Sequence, residues 1–311
     1  MPSGQGERLP LVAEVRSTES MLDHTEYVEQ SHFFFTVAQR LHESLPLQDL
    51  LAQIREELLA TTKLPLAVSF LLDELRHLGV LNTAMARLPH YFTPFQSFVM
   101  REAESDRGRF DYRIALAVLG HEAEYKSRGV NPQGVFLYQF ETLCRNRLRY
   151  DQGLTAIAGD KIYDAAWRDW ILTVRRRLGT VDIADMIYVC SQHYLTRRAR
   201  DPDAPDEEVP TPLFGEKEGQ IALANRRKDP LYLFAALQRH LGYPSIPRRK
   251  PVDEQATLVP QLLRRIEQLE LRLKLLEEDQ RGGFDLSKFY ERPPRAGELG
   301  AGGLGAGGLD L

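Results

Sequence analysis

Cysteine is scarce: Cys144 and Cys190 are the two thiols in 311 residues. They lie far apart in apolar helical contexts, so they make neither a disulfide framework nor a zinc pattern. Reduced thiols inside a cell are the expectation. Long apolar runs are missing as well. No stretch reaches the roughly 18 continuous apolar residues that span a bilayer, and the opening MPSGQGERLPLVAEV has no apolar signal segment. Nor is there a surplus of positive charge. Lys and Arg number 40 against 44 Asp and Glu, a net charge of −4, which gives no general pull toward nucleic acid or anionic lipid. The sequence therefore predicts a cytoplasmic protein with neither membrane nor nucleic acid as partner.

Catalytic signatures are absent too. Neither GxGxxG nor GxxxxGK[ST] occurs in a strand–turn–helix context, and no Ser sits in a GxSxG elbow. HEAEY at His121 places Tyr125 where a zinc protease has its second histidine. Alternating strand patterns with hairpin turns are not found, which predicts an all-α fold.

Apolar residues at 43% are enough for a sizeable core. The chain opens with a flexible arm, 1–18. A first helix over about 19–45 carries the stripe Tyr27, Phe34, Val37, Ala38, Leu41 and Leu45. Pro46 and Pro65 fit the first turns of two more helices. The second of these is apolar nearly all round, ends at Gly79, and is expected to be central. Thr93-Pro94 opens a fourth helix by cap and N1 proline, and a fifth covers about 110–126. Asn131-Pro132 opens a sixth, Asp151 can cap a short seventh, and two more follow, separated at Gly179. The proline openings at 46, 65, 94 and 132 keep no fixed period, so the body at 19–200 reads as an irregular multi-helix bundle or array rather than a solenoid. Beyond it come an acidic, Pro-rich linker (201–212), a small helical pair (213–243), a second linker (244–257), a coiled-coil helix (258–280) and a disordered Gly-rich tail (281–311).

The coiled-coil signal is an a/d seam of Val259, Leu262, Ile266, Leu269, Leu273 and Leu276, spaced 3-4-3-4-3. Leucine at every d position favours a parallel pair, and Arg265 can reach Glu270 of a neighbour as Arg272 can reach Glu277. A homodimer through 259–279 is expected. The competing reading is one amphipathic helix lying on its own body, using Leu263, Leu271 and Leu275.

Candidate metal ligands come from two Glu-x-x-His segments, Glu29–His32 and Glu74–His77. Spacing of i, i+3 brings both ligands to one helix face, and carboxylates with an imidazole suit iron or manganese. With Glu57 and Glu102 from other helices, the pattern resembles the ferritin-like di-iron carboxylate proteins. Glu29 and His32 lie opposite the Phe34/Val37 stripe and are expected to face water. That leaves Glu74, His77, Glu102 and His121 as the conceivable inward cluster. A buried Glu–Arg network drawing on Arg76, Arg101, Arg107 and Arg109 satisfies the same carboxylates without a metal.

LPHYFTPFQSFV and FLYQFETLCRNRLRYDQGL resemble a bacterial family, found mostly in planctomycetes, that carries no assigned activity; the likeness covers about 25–200. The first expectation is a helical scaffold or adaptor without cofactor, holding an unidentified protein partner and itself through the C-terminal helix. The second is a metal-dependent helical-bundle oxidoreductase with iron or manganese at Glu74, His77, Glu102 and His121.

Overall fold

The computed structural model describes residues 22–41, 45–105, 110–129, 131–200 and 211–248, together with Arg265, Ile266, Leu269, Glu270 and Leu273. The arm at 1–18, most of the first linker, the tail, and Val259, Leu262 and Leu276 lie outside the described residues. Two units are present, 1–249 and 250–311.

The described residues form thirteen α-helices and no strand, as the sequence predicts for the class. They are α1 (His24–Arg40), α2 (Leu47–Glu57), α3 (Leu64–Leu78), α4 (Asn82–Ala86), α5 (Pro94–Ala103), α6 (Tyr112–Ser127) and α7 (Pro132–Asn146). They continue with α8 (Tyr150–Ala158), α9 (Ala165–Arg177), α10 (Ile183–Val189), α11 (Gln192–Arg198), α12 (Glu216–Ala224) and α13 (Pro230–Leu241). Local chemistry explains most starts. Thr93 and Gln96 form a reciprocal capping box on α5. Asp111, Asn131, Asp164, Asp182, Ser191 and Asp229 each accept first-turn N–H groups of their helices. Gly79 ends α3 at φ +73°, a left-handed cap that costs glycine nothing.

Among the helices that start without a side-chain cap of their own, α3 and α4 take carboxylates distant in sequence instead. Glu104 accepts the Leu81 and Asn82 N–H groups (2.6 and 2.9 Å) and the Asn82 side-chain amide (2.6 Å) at the head of α4. Glu26, on α1, accepts the Lys63 N–H (2.7 Å) at the head of α3, while Glu29 accepts the Leu59 N–H (3.1 Å) in the turn before it. A carboxylate at a helix N-terminus also meets the positive end of the helix dipole.

The central helix is α7. Every residue from Gly134 to Leu143 is buried. It is not α3, which the sequence predicts to be central: Leu66 and Leu78 on that helix are exposed while Leu64, Val68, Leu71 and Leu75 pack inward. α1 lies along α6. Their approach needs Gly120, where a Cβ would stand 2.8 Å from the Phe35 ring.

The stretch expected to be one helix after Gly179 is two, α10 and α11. The carbonyl of Cys190 accepts the Leu213 N–H (2.8 Å), and the Gln192 N–H goes to the Phe214 carbonyl (2.9 Å). Strand-like pairing with a distant segment takes groups a continuous helix would have used. That segment carries Phe214, whose ring lies 5.2 Å from Trp167 and 5.1 Å from Trp170. It leads into α12 and α13, which dock on the body. Phe234 packs on Phe140 (5.9 Å), Tyr243 donates to Glu141 (2.8 Å), and Tyr125 donates to the Leu241 carbonyl (2.9 Å). The small helical pair is therefore part of the same unit as the bundle.

Candidate functional site

The four inward candidates are not brought to one point. Glu74 is nearly covered and pairs with Arg87 at 2.6 Å, whose guanidinium lies 5.5 Å from the centre of the Phe70 ring. Glu102, also nearly covered, accepts from Arg149 Nε at 2.9 Å and from its Nη2. His121 lies edge-on to Phe35 (4.9 Å) and faces Glu124 at 3.4 Å. His77 is exposed. Among the described residues no group of three or more His, Cys, Asp or Glu is placed to hold a metal. Both carboxylates thus point partly inward and meet arginine, but the arginines are Arg87 and Arg149 rather than Arg76 or Arg101; Arg107 and Arg109 lie outside the described residues. Helix packing, not closeness in sequence, chooses the partner.

His32 faces solvent as expected, whereas Glu29 is buried. The helix α1 is covered on more than one side, so the face opposite its apolar stripe is not a solvent face. Glu29 and Glu26 find backbone N–H groups of the 59–63 turn there, and Tyr91 donates to Glu26 at 3.0 Å.

The densest charged chemistry lies elsewhere, in a tier that the sequence does not advertise. Lys126 Nζ sits 3.0 Å from Glu122 and 2.9 Å from Asp160, and its side chain is 1% exposed. Gln139 on α7 donates to the same Glu122 oxygen (2.6 Å) and accepts from Tyr163 (2.8 Å). Burial opposes charge on Lys126, but the Asp160 and Glu122 carboxylates outweigh it and hold the ammonium above its ordinary range. Burial, then Asp160 and Glu122, pushes the Tyr163 phenol well up; burial, then Glu122 and Glu141, does so for Tyr138. Lys126, Tyr138 and Tyr163 thus keep one protonation state across the neutral range. The tier is therefore a fixed internal ion cluster, which orders α6, α7 and the α8–α9 turn against one another. Beside it, Gln96 takes the Thr93 N–H on its carbonyl and so must donate to the Gln30 carbonyl (2.9 Å), leaving the Gln30 NH2 without a protein partner among the described residues. A cavity of about 130 Å³ adjoins Gln30, Tyr27 and Asp160.

Thiol chemistry is not favoured at either cysteine. Burial pushes both Cys144 and Cys190 up to about 11, far from the thiolate range of nucleophilic cysteines.

A second, larger concavity opens between α4–α5 and α8–α9. It has a volume of about 660 Å³, with Arg101 and Arg175 on its walls and Phe92, Pro94 and Phe98 among its apolar surfaces.

In the second unit, Arg265, Ile266, Leu269, Glu270 and Leu273 are helical. Three consecutive seam residues are exposed: Ile266 by 49%, Leu269 by 54% and Leu273 by 58%.

Glu122 and Lys126 stand four apart in HEAEYK, a legible intrahelical pair; their burial with Asp160 depends on tertiary packing. No family model, curated protein or solved structure matches the chain.

Proposed function

We propose that this chain is an intracellular helical scaffold or adaptor that pairs with a second copy of itself through the helix at 258–280 and presents its helical body to a protein partner. The observation that carries the proposal is the exposed helical seam of Ile266, Leu269 and Leu273. Three large apolar side chains at a, d and a positions, each half in water, lose that exposure when two such helices meet. Arg265 and Glu270 flank the seam at e/g-type positions of opposite sign, which suits a parallel neighbour. The body supports the role of a passive frame: its buried carboxylates are engaged by lysine, arginine and backbone N–H groups. Among the described residues no helix is long and apolar enough to cross a membrane, and both cysteines are free thiols.

Sedimentation equilibrium of the full chain tests the proposal. A dimer that becomes monomer with Leu269→Asp and Leu273→Asp together, with circular dichroism otherwise unchanged, is the expected result. A monomer at all concentrations, or a dimer indifferent to both substitutions, refutes it.

A further inference from the structure

The cleft between α4–α5 and α8–α9 has features the scaffold role does not use. Its volume of about 660 Å³ falls within the roughly 300–1,000 Å³ of small-molecule sites. Pro89, Pro94 and Ala156 give it apolar surface, over the buried rings of Phe92 and Phe98. Two guanidinium groups line it from different helices. Arg101, on α5, bonds to the Gln152 carbonyl (3.1 Å) and lies 5.5 Å from the centre of the Phe98 ring. Arg175, on α9, bonds to the Thr155 hydroxyl (2.8 Å).

Among the described residues neither arginine is neutralised by a close, covered carboxylate. Arg175 stands 3.4 Å from Asp151, but that carboxylate is 82% exposed and the pair is solvent-screened. Neutral partners therefore orient both guanidiniums while leaving most of their N–H donors for a ligand. Among the described residues, the charged ones lining the cleft are Arg101, Arg175 and Asp151, a net charge of +1. That balance fits one negative charge. A phosphate dianion would bring its second charge against Asp151.

We propose that this cleft binds a small monocarboxylate with an apolar, ring-sized body. The carboxylate lies between Arg101 and Arg175, where a planar guanidinium matches its two oxygens. The body covers Pro89, Pro94 and Ala156.

Isothermal titration of the full chain with 2-naphthoate, 2-naphthamide and 2-naphthyl phosphate tests the assignment. Naphthoate should bind saturably, and the neutral amide and the phosphate more weakly. Arg101→Gln and Arg175→Gln should each weaken naphthoate about tenfold or more, the loss of one charge-assisted contact. They should barely move the amide. Ala156→Phe, which fills the cleft and keeps both arginines, should abolish binding of all three probes. Thermal midpoints close to the parent show that each variant is folded. Equal affinity for naphthoate and naphthamide overturns the proposal. So does a preference for the phosphate, indifference to both arginine substitutions, or no saturable naphthoate binding at millimolar concentration.

Discussion

Replacing Lys126 by methionine keeps the length of the side chain and deletes its charge. In the parent the ammonium lies 3.0 Å from Glu122 and 2.9 Å from Asp160, with side-chain exposures of 1%, 1% and 5%. The substitution removes both ion pairs at once and leaves two carboxylates out of reach of water. Breaking a buried pair from one side costs about 3–5 kcal/mol, because the remaining charge is uncompensated. Here two charges remain, so the upper half of that range applies. At about 1.4 kcal/mol per tenfold, the folded-to-unfolded ratio falls by roughly three powers of ten. Urea unfolding followed by far-ultraviolet circular dichroism measures it. Adding Glu122→Gln and Asp160→Asn to Lys126→Met should recover most of the loss, since neutral amides need no counter-charge. A single variant that loses less than about 1 kcal/mol would refute the reasoning, because that is the scale of an exposed pair. So would a triple variant no more stable than the single one.

Two further outcomes follow from the same physics. Lys126, Tyr138 and Tyr163 all have folded values above their unfolded ones. Their contribution to stability is therefore complete below the unfolded values, about pH 10, and is lost as pH climbs from there toward the folded ones. Urea midpoints should begin to fall near pH 10, and part of the phenolate absorbance of the 12 tyrosines should appear only with unfolding; all of it appearing in folded protein would contradict the burial. Glu104→Ala should cost about 1–3 kcal/mol in urea unfolding, the penalty for stranding the Leu81 and Asn82 donors. The first exchange to accelerate should be at those two amides.

Sequence periodicity finds elements more readily than neighbours. Proline and cap residues place α5 and α7 within a residue or so, because a cap bond is local. The short α4 lacks a local signal, since its cap is Glu104, some twenty residues on. Apolar content points to α3 as central, yet Leu66 is 76% exposed. The truly central α7 carries Gln139, Glu141 and Thr142, which look like a polar face. Gln139 and Glu141 are buried against Tyr163 and Tyr243, partners that only the fold supplies, while Thr142 bonds to the Tyr138 carbonyl one turn back. Glu29 misleads for the same reason: a residue opposite the apolar stripe faces water only if nothing covers that side. Glu74 and Glu102 are read correctly as partly inward, but the spacing does not tell whether they meet each other or an arginine. The two arginines of the cleft leave no motif at all, since α5 and α9 come to it by each packing on α8.

The pairing of two copies in parallel and in register is tested most directly by a disulfide. In such a pair each d position faces its own copy across the axis, within the roughly 4.4–6.8 Å between Cα atoms that a disulfide spans. With Cys144 and Cys190 replaced by serine and alanine, Leu269→Cys should give a covalent dimer of twice 35.5 kDa on mild oxidation. The same substitution at Glu270, which flanks the seam and stands farther from its own copy, should cross-link far less. Efficient cross-linking confined to position 269 is the predicted result. A chain that stays monomeric at 269, or that cross-links equally at 270, contradicts it.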